Sequence, residues 1–314
     1  MSRIGIDIGA TRIKAGLVRD GVVVKKIIKT LAPEHKSEEG IIELLNSTVQ
    51  SLLSGSNATR NEIEWIGIGA PGFIKHDTGV IFRSPNFPEW KNFALARRTM
   101  ERIGLRVFLD NDANCVTLGE ALFGAGKGID DFVLLTLGSG LGGGLFLGKK
   151  VYRGQDGMAG EVGHMVVEPQ GFECGCGARG CLEQYASFCG LRNMAKEDKT
   201  FGSKTDEMVT SPDFPRILYE MAKNGHGGAK SLYSRMGYYL GLGLSNLILL
   251  FNCHLIVLSG GVARAYDMFQ QDMWACLHAR LPASFLEGTK VVTGKLWEEA
   301  GILGSSALGE EHVF

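Results

Sequence analysis

The strongest constraint on this chain is a pattern that it uses twice. Residues 4–24 read IGIDIGATRIKAGLVRDGVVV, and residues 133–153 read VLLTLGSGLGGGLFLGKKVYR. Each places a glycine-rich turn between two apolar strands and follows it with a second turn and a third strand. In the first copy that second turn is Asp20–Gly21, a dipeptide suited to a tight hairpin. A strand pattern that restarts after a helical stretch predicts a duplicated α/β unit and two lobes.

Between the two copies, a helical period runs from about Glu38 to Leu53. The segment EWIGIGAPG is a short apolar strand closed by a Gly/Pro turn. RVFLDND is a strand ending in acidic residues, followed at once by the helix ANCVTLGEALFG. Later, CHLIVLSGGVA runs from strand into glycine turn, and VVTGKLWEEAGILGSSALGE ends in a helix. The apolar run YYLGLGLSNLILLF, residues 238–251, is shorter than the roughly 20 residues a bilayer requires and reads as a buried helix. Residues 196–213 read as a surface loop with helical pieces.

Composition limits the function classes. With 45% apolar and 21% charged residues among 314, the chain is globular, and its formal net charge of −1 offers no bulk attraction to nucleic acid or to an anionic membrane. MSRIGIDIGA lacks the pattern of a secretory signal, so a cytoplasmic protein is expected. In that reducing compartment the seven cysteines do not suggest a disulfide framework.

Three glycine turns follow apolar strands: Gly9–Thr11, Gly138–Gly144 and Gly260–Gly261. Such turns expose successive N–H groups that can cradle phosphate oxygens, although each alone is equally an ordinary hairpin turn. None fits the P-loop or the dinucleotide-binding fingerprint. Asp7 ends the first strand beside one of them, either as a turn former or as a ligand for a divalent cation that offsets phosphate charge. LDNDAN, residues 109–114, ends a strand with Asp110, Asn111 and Asp112. These can serve acid–base chemistry and hydroxyl recognition, or simply cap the next helix. In CGCGARGCLE, Cys174, Cys176 and Cys181 lie within eight positions. With His164 of GEVGHM they make a Cys₃His set, a common structural zinc combination, although the C-x-C step is tight. Small buried cysteines are the alternative.

Seven segments in order, DIGATRIK, IGIGAPG, DNDANC, LTLGSGLGGG, GEVGHM, CGCGARGCLE and LSGGV, resemble those of the ROK (repressor, open reading frame, kinase) family, and within it the ATP-dependent bacterial glucokinases. The resemblance spans Ile4 to about Gly309. It implies an actin-like, hexokinase-type (ribonuclease H-like) fold of two α/β lobes with a cleft. The expected division is 1–112 as a small lobe, with a C-terminal helix at about 301–314 packing back on it, and 113–300 as a large lobe carrying a zinc loop. It implies transfer of the ATP γ-phosphoryl to the 6-hydroxyl of glucose, with Asp112 as general base. Asn86 of SPNFPEW, Asn111, Asp112, Glu161, His164 and Glu183 would bind the sugar. Asp7, Gly9, Thr11, Arg12, Lys14, Gly138, Ser139, Gly140, Gly260 and Gly261 would serve ATP and Mg²⁺. His164, Cys174, Cys176 and Cys181 would hold structural zinc. A homodimer or homotetramer is expected, with no nucleic-acid or membrane partner.

The sequence departs from the family pattern at Ala10, where a second glycine is usual, at Arg12 in place of lysine, and at Asn252-Cys253-His254 in place of an Asn-Pro pair. The family also implies rivals. One is a kinase for N-acetylmannosamine, N-acetylglucosamine, mannose or fructose. The other is a sugar-responsive repressor, disfavoured here because Asp7 lies too near the start for a preceding helix-turn-helix.

Overall fold

The computed structural model describes residues 2–56, 58–211 and 213–312. In chain order the elements are β1 (Ser2–Ile8), β2 (Arg12–Arg19), β3 (Val22–Thr30), α1 (Glu38–Ser54), β4 (Ile63–Ala70), β5 (Phe73–Lys75), β6 (Val80–Arg83), β7 (Lys91–Phe93), α2 (Leu95–Ile103), β8 (Val107–Asn111) and α3 (Asp112–Phe123). They continue with β9 (Phe132–Leu137), β10 (Leu141–Leu147), β11 (Lys150–Val151), α4 (Phe188–Glu197), α5 (Thr205–Thr210), α6 (Phe214–Lys223), α7 (Gly227–Phe251), β12 (Leu255–Ser259), α8 (Tyr266–Arg280), α9 (Ala283–Leu286), β13 (Lys290–Thr293) and α10 (Ala300–Ala307).

The duplication is real in three dimensions. One five-stranded sheet has the order β3-β2-β1-β4-β8 and the other β11-β10-β9-β12-β13. In the first, β1 and β2 pair antiparallel, as do β2 and β3, while β4 lies parallel to β1 and β8 parallel to β4. In the second, β12 lies parallel to both β9 and β13. The first hairpin turns at Asp20 and Gly21, both with positive φ, as its Asp-Gly pair dictates. A small sheet, β5-β6-β7, lies outside the repeat. The sequence gives no sign of it, because three- and four-residue strands carry almost no periodic signal.

The chain forms two compact units, one comprising Met1–Asp130, Gly144–Ala159 and Gly294–Phe314, and the other Asp131–Gly143 and Gly160–Thr293. This division differs from a boundary at 112: α3 falls with the first unit. The reason is packing through absent side chains. A Cβ at Gly67 would lie 1.7 Å from the Ser305 carbonyl oxygen, and one at Gly5 1.9 Å from that of Ile302. The small-residue helix α10, AGILGSSA, therefore lies directly on β1 and β4, and α3 packs against it where Gly119 faces Ala300. The core beneath is the aliphatic inner face of β1, β2 and β4 against α1: Ile4, Ile6, Ile13, Leu45, Ile66 and Ile68 are fully buried.

In the second unit α7 is a helix, as expected, but it is not buried all round. Leu249 is 51% and Leu250 72% exposed at its C-terminal end. It closes on Asn252 in the left-handed region at φ 48°, so this residue acts as the helix C-cap. Residues 199–210 form a 3-10 turn and the short α5. Among the described residues no helix is long and apolar enough to cross a membrane.

Candidate active site and metal centre

In the first unit the C-terminal ends of three parallel strands bring the acidic residues to one sheet edge. Asp7 of β1 is in register with Gly69 of β4, and Gly69 with Asp110 of β8. Two strand spacings separate Asp7 from the β8 end, about 10 Å. At β8 the chain turns directly into α3, and Asp112 is its first residue. The Asn111 side-chain oxygen accepts from the backbone N–H of Ala113 at 2.8 Å and of Asn114 at 3.3 Å. The capping alternative is thus realised for Asn111, whose amide also donates to the Gly72 carbonyl at 3.1 Å. One amide N–H of Asn111 is left to offer a ligand. Asp112 accepts from the Ala113 N–H at 3.0 Å.

Asp110 plays a different part. It is 2% exposed. One oxygen accepts from the Asn111 N–H at 2.7 Å and the Asn114 amide at 3.0 Å, and the other from the Arg153 guanidinium at 2.7 Å. A buried carboxylate with both oxygens engaged is a structural member of the motif.

Asp7 lies over Gly301 in the first turn of α10, and Lys14 Nζ is 3.6 Å from its Oδ2. Burial pushes the Asp7 carboxyl up, and the Lys14 charge opposes that shift. A carboxyl raised in the native state contributes its stability below the ordinary carboxylate range and loses it as pH rises through the native value. The burial that raises this carboxyl weighs against its ionised form, and a cation beside it would relieve the cost. We expect Asp7→Asn to raise the thermal midpoint of the ligand-free protein while weakening Mg²⁺-dependent nucleotide binding. A lower midpoint with unchanged binding would contradict this placement.

The turn after β1 holds Gly9, Thr11 and Arg12, with the Gly9 N–H donating to the Arg12 carbonyl at 2.9 Å. Ala10 has no positive φ, so its replacement of the family's glycine carries no backbone strain. Asn86 is exposed between the buried Ser84 and Phe87. Its loop is anchored by the stacked rings of Phe87 and Trp90, 4.0 Å between centroids, and by the Trp90 indole N–H donating to the Lys36 carbonyl at 2.8 Å.

The second unit gathers the remaining expected residues. The turns after β9 and β12 are neighbours, since Ser259 is in register with Thr136. They carry Gly138, Ser139 and Gly140, and Gly260 and Gly261. Within the first turn several amides are already engaged. The Gly138 N–H donates to the Gly140 carbonyl at 2.9 Å, and the Leu141 N–H to Glu183 Oε2 at 3.0 Å. A Cβ at Gly140 would lie 2.1 Å from that same carboxylate oxygen. Glu183 therefore tethers this turn to the cysteine segment, which sequence spacing did not reveal.

Glu161 precedes, and His164 ends, a 3-10 turn over Val162–His164. Their Nε2 and Oε2 atoms are 3.9 Å apart. Burial pushes the Glu161 carboxyl up; His164 opposes the shift and Glu183 adds to it.

His164, Cys174, Cys176 and Cys181 converge so that their ligand atoms all lie within 4.8 Å of one another. The His164 Nδ1 to Cys174 Sγ and Cys176 Sγ to Cys181 Sγ distances are both 3.6 Å. A tetrahedral zinc site with Zn–S near 2.3 Å and Zn–N near 2.0 Å has edges of about 3.5–3.8 Å. The donor set fits zinc, and all seven cysteines are free thiols. The Cys174–Gly177 segment is a tight turn, with the Gly177 N–H donating to the Cys174 carbonyl at 2.9 Å and Gly177 at φ 95°. Gly175 does not have positive φ. Burial pushes the Cys181 thiol up to about 12 and raises Cys174, whereas the Ala178 N–H lowers Cys176.

The profile of the ROK family matches residues 3–312. The chain belongs to the ROK family. A glucokinase of Thermotoga maritima is 36% identical over 315 residues, 99% of this chain and 98% of that one. The solved ROK family glucokinase of Streptomyces griseus, in complex with glucose and AMPPNP, superimposes with a TM-score of 0.82 at 31% identity, covering 99% of this chain and all (100%) of that one. The ROK hexokinase of Thermus thermophilus gives 0.81 at 31% identity, covering 100% and 99% of the two chains. With these ROK proteins the chain shares the two-lobed actin-like fold, and it is a sugar kinase acting on a hexose.

Proposed function

We propose that this ROK kinase transfers the γ-phosphoryl group of Mg·ATP to the 6-hydroxyl of glucose, giving glucose 6-phosphate, with Asp112 as the general base. The observation that carries the reading is the sheet edge where Asp7, Asn111 and Asp112 stand at the ends of β1 and β8. A carboxylate at the first position of a helix, beside a capping Asn with a spare N–H, can accept a hydroxyl proton as the oxygen attacks phosphorus. The glucose and AMPPNP held by the Streptomyces griseus relative support the substrate pair.

In this reading Asn86, Asn111, Glu161, His164 and Glu183 orient the sugar hydroxyls. Gly9–Arg12, Lys14, Gly138–Gly140, Gly260 and Gly261 hold the nucleotide. Asp7 would help hold Mg²⁺, which when bound neutralises charge on the phosphates. His164, Cys174, Cys176 and Cys181 would hold a structural zinc. With four protein donors that metal has no position open for substrate, and it fixes the segment carrying Glu161 and Glu183. His164 would meet zinc through Nδ1 and keep Nε2, on its Glu161 side, for the sugar.

The test of the acceptor position is 6-deoxyglucose. It should compete with glucose, with an inhibition constant within about tenfold of the glucose KM, and should not be phosphorylated. Formation of a phosphorylated 6-deoxyglucose, seen by phosphorus NMR, would move the acceptor to another hydroxyl.

A further inference from the structure

Arg153 ends the second copy of the strand pattern, in VYRG, and the reading of the site gives it no role. Its side chain is 11% exposed. The guanidinium donates to Asp110 Oδ2 at 2.7 Å and to the Val151 carbonyl at 3.2 Å, and it pairs with Glu311. The partner Asp110 side chain is 3% exposed. Through its other oxygen Asp110 holds the Asn111 N–H and the Asn114 amide, that is, the peptide before the base and the first turn of the helix behind it. Asp112 sits between these two points. One buried carboxylate, with one buried guanidinium behind it, thus ties the peptide before the base to the first turn of α3, beside the Asn111 cap and its bond to Gly72.

We propose that Arg153 is a positioning residue for phosphoryl transfer, acting through Asp110 to hold Asp112 in line for the substrate hydroxyl. The proposal rests on the reading of Asp112 as base. The Arg153 guanidinium faces Asp110, Val151 and Glu311, so the role proposed is positioning rather than contact with substrate. Its contribution is geometric. Without it Asp110 is a buried carboxylate lacking its cation, and the carboxylate must shift toward water, taking the Asn111 peptide and the start of α3 with it. A displacement of about 1 Å at a catalytic group can cost about 10²-fold in rate. The Gly9–Arg12 turn follows β1, two strand spacings from β8, and has none of these bonds.

The test compares Arg153→Met, Arg153→Lys and Asp112→Asn in the full-length enzyme, at a temperature well below each thermal midpoint. The readouts are kcat per folded molecule, KM for ATP and the glucose dissociation constant. Arg153→Met should lower kcat tenfold or more with KM for ATP within about twofold of wild type, and Arg153→Lys should recover part of the loss. Should Arg153→Met not fold, the double variant Asp110→Asn/Arg153→Met removes both buried charges together and should show the same kcat loss. A kcat within twofold of wild type in Arg153→Met, or in the double variant if that is the one that folds, overturns the proposal, whatever the change in thermal midpoint. If Asp112→Asn is inactive while that variant is fully active, only this inference fails; if Asp112→Asn is itself fully active, the base assignment fails first.

Discussion

Asp112→Asn should lower kcat by about 10²–10⁴-fold, the usual worth of a positioned general base, or roughly 3–5 kcal/mol of transition-state stabilisation. The glucose dissociation constant should stay within a few-fold of wild type. Asparagine keeps the size of the side chain and an oxygen that can still accept from the Ala113 N–H, so the first turn of α3 survives. What is lost is the capacity to take a proton at neutral pH. A fall in kcat without a matching loss of sugar affinity marks an interaction that acts in the transition state. Rapid-quench measurement of glucose 6-phosphate, beside calorimetric titration with glucose, separates the two quantities. Wild-type turnover in this variant would remove Asp112 from its role, and since Asp110 is buried and fully bonded, no other member of the motif could take its place.

Cys176→Ser should release zinc and raise the KM for glucose by about 10–100-fold, the range seen when support of a metal-organised site is removed. The effect is expected to be indirect. Cys176 is exposed, and its Sγ is 3.6 Å from that of Cys181. Cys181 leads directly into the 3-10 turn Leu182–Gln184 that carries Glu183. With one donor gone, the remaining three ligands no longer close a tetrahedron, and Glu183 and His164 lose a shared anchor. Elemental analysis should find equimolar zinc in the wild-type chain and little in the variant. Unchanged zinc content, or zinc loss with unchanged glucose kinetics, would contradict the account of this centre.

Much of this was legible in the residues. The two strand–glycine–strand repeats announced the two sheets, because alternating apolar residues and an Asp-Gly turn state their register locally. The Cys₃His set was legible from the residue types and their spacing, and in the fold those four side chains converge. Asn111 shows the limit of such reading. Capping and ligand binding need the same side-chain chemistry, and only the bonds to Ala113 and Asn114 reveal that it caps. Three features lay beyond the sequence. The small sheet β5-β6-β7 has strands too short to show a period. The packing of α10 depends on Gly5 and Gly67, more than 200 residues away along the chain. The Arg153–Asp110 pair joins residues 43 apart whose types alone are those of ordinary surface charges.

The central claim is a glucose kinase, and the most direct test is ADP release from Mg·ATP across glucose, mannose, fructose, N-acetylglucosamine and N-acetylmannosamine. The account predicts the highest kcat/KM for glucose by tenfold or more, about 1.4 kcal/mol of transition-state discrimination. A higher value for any other sugar in the panel would contradict it.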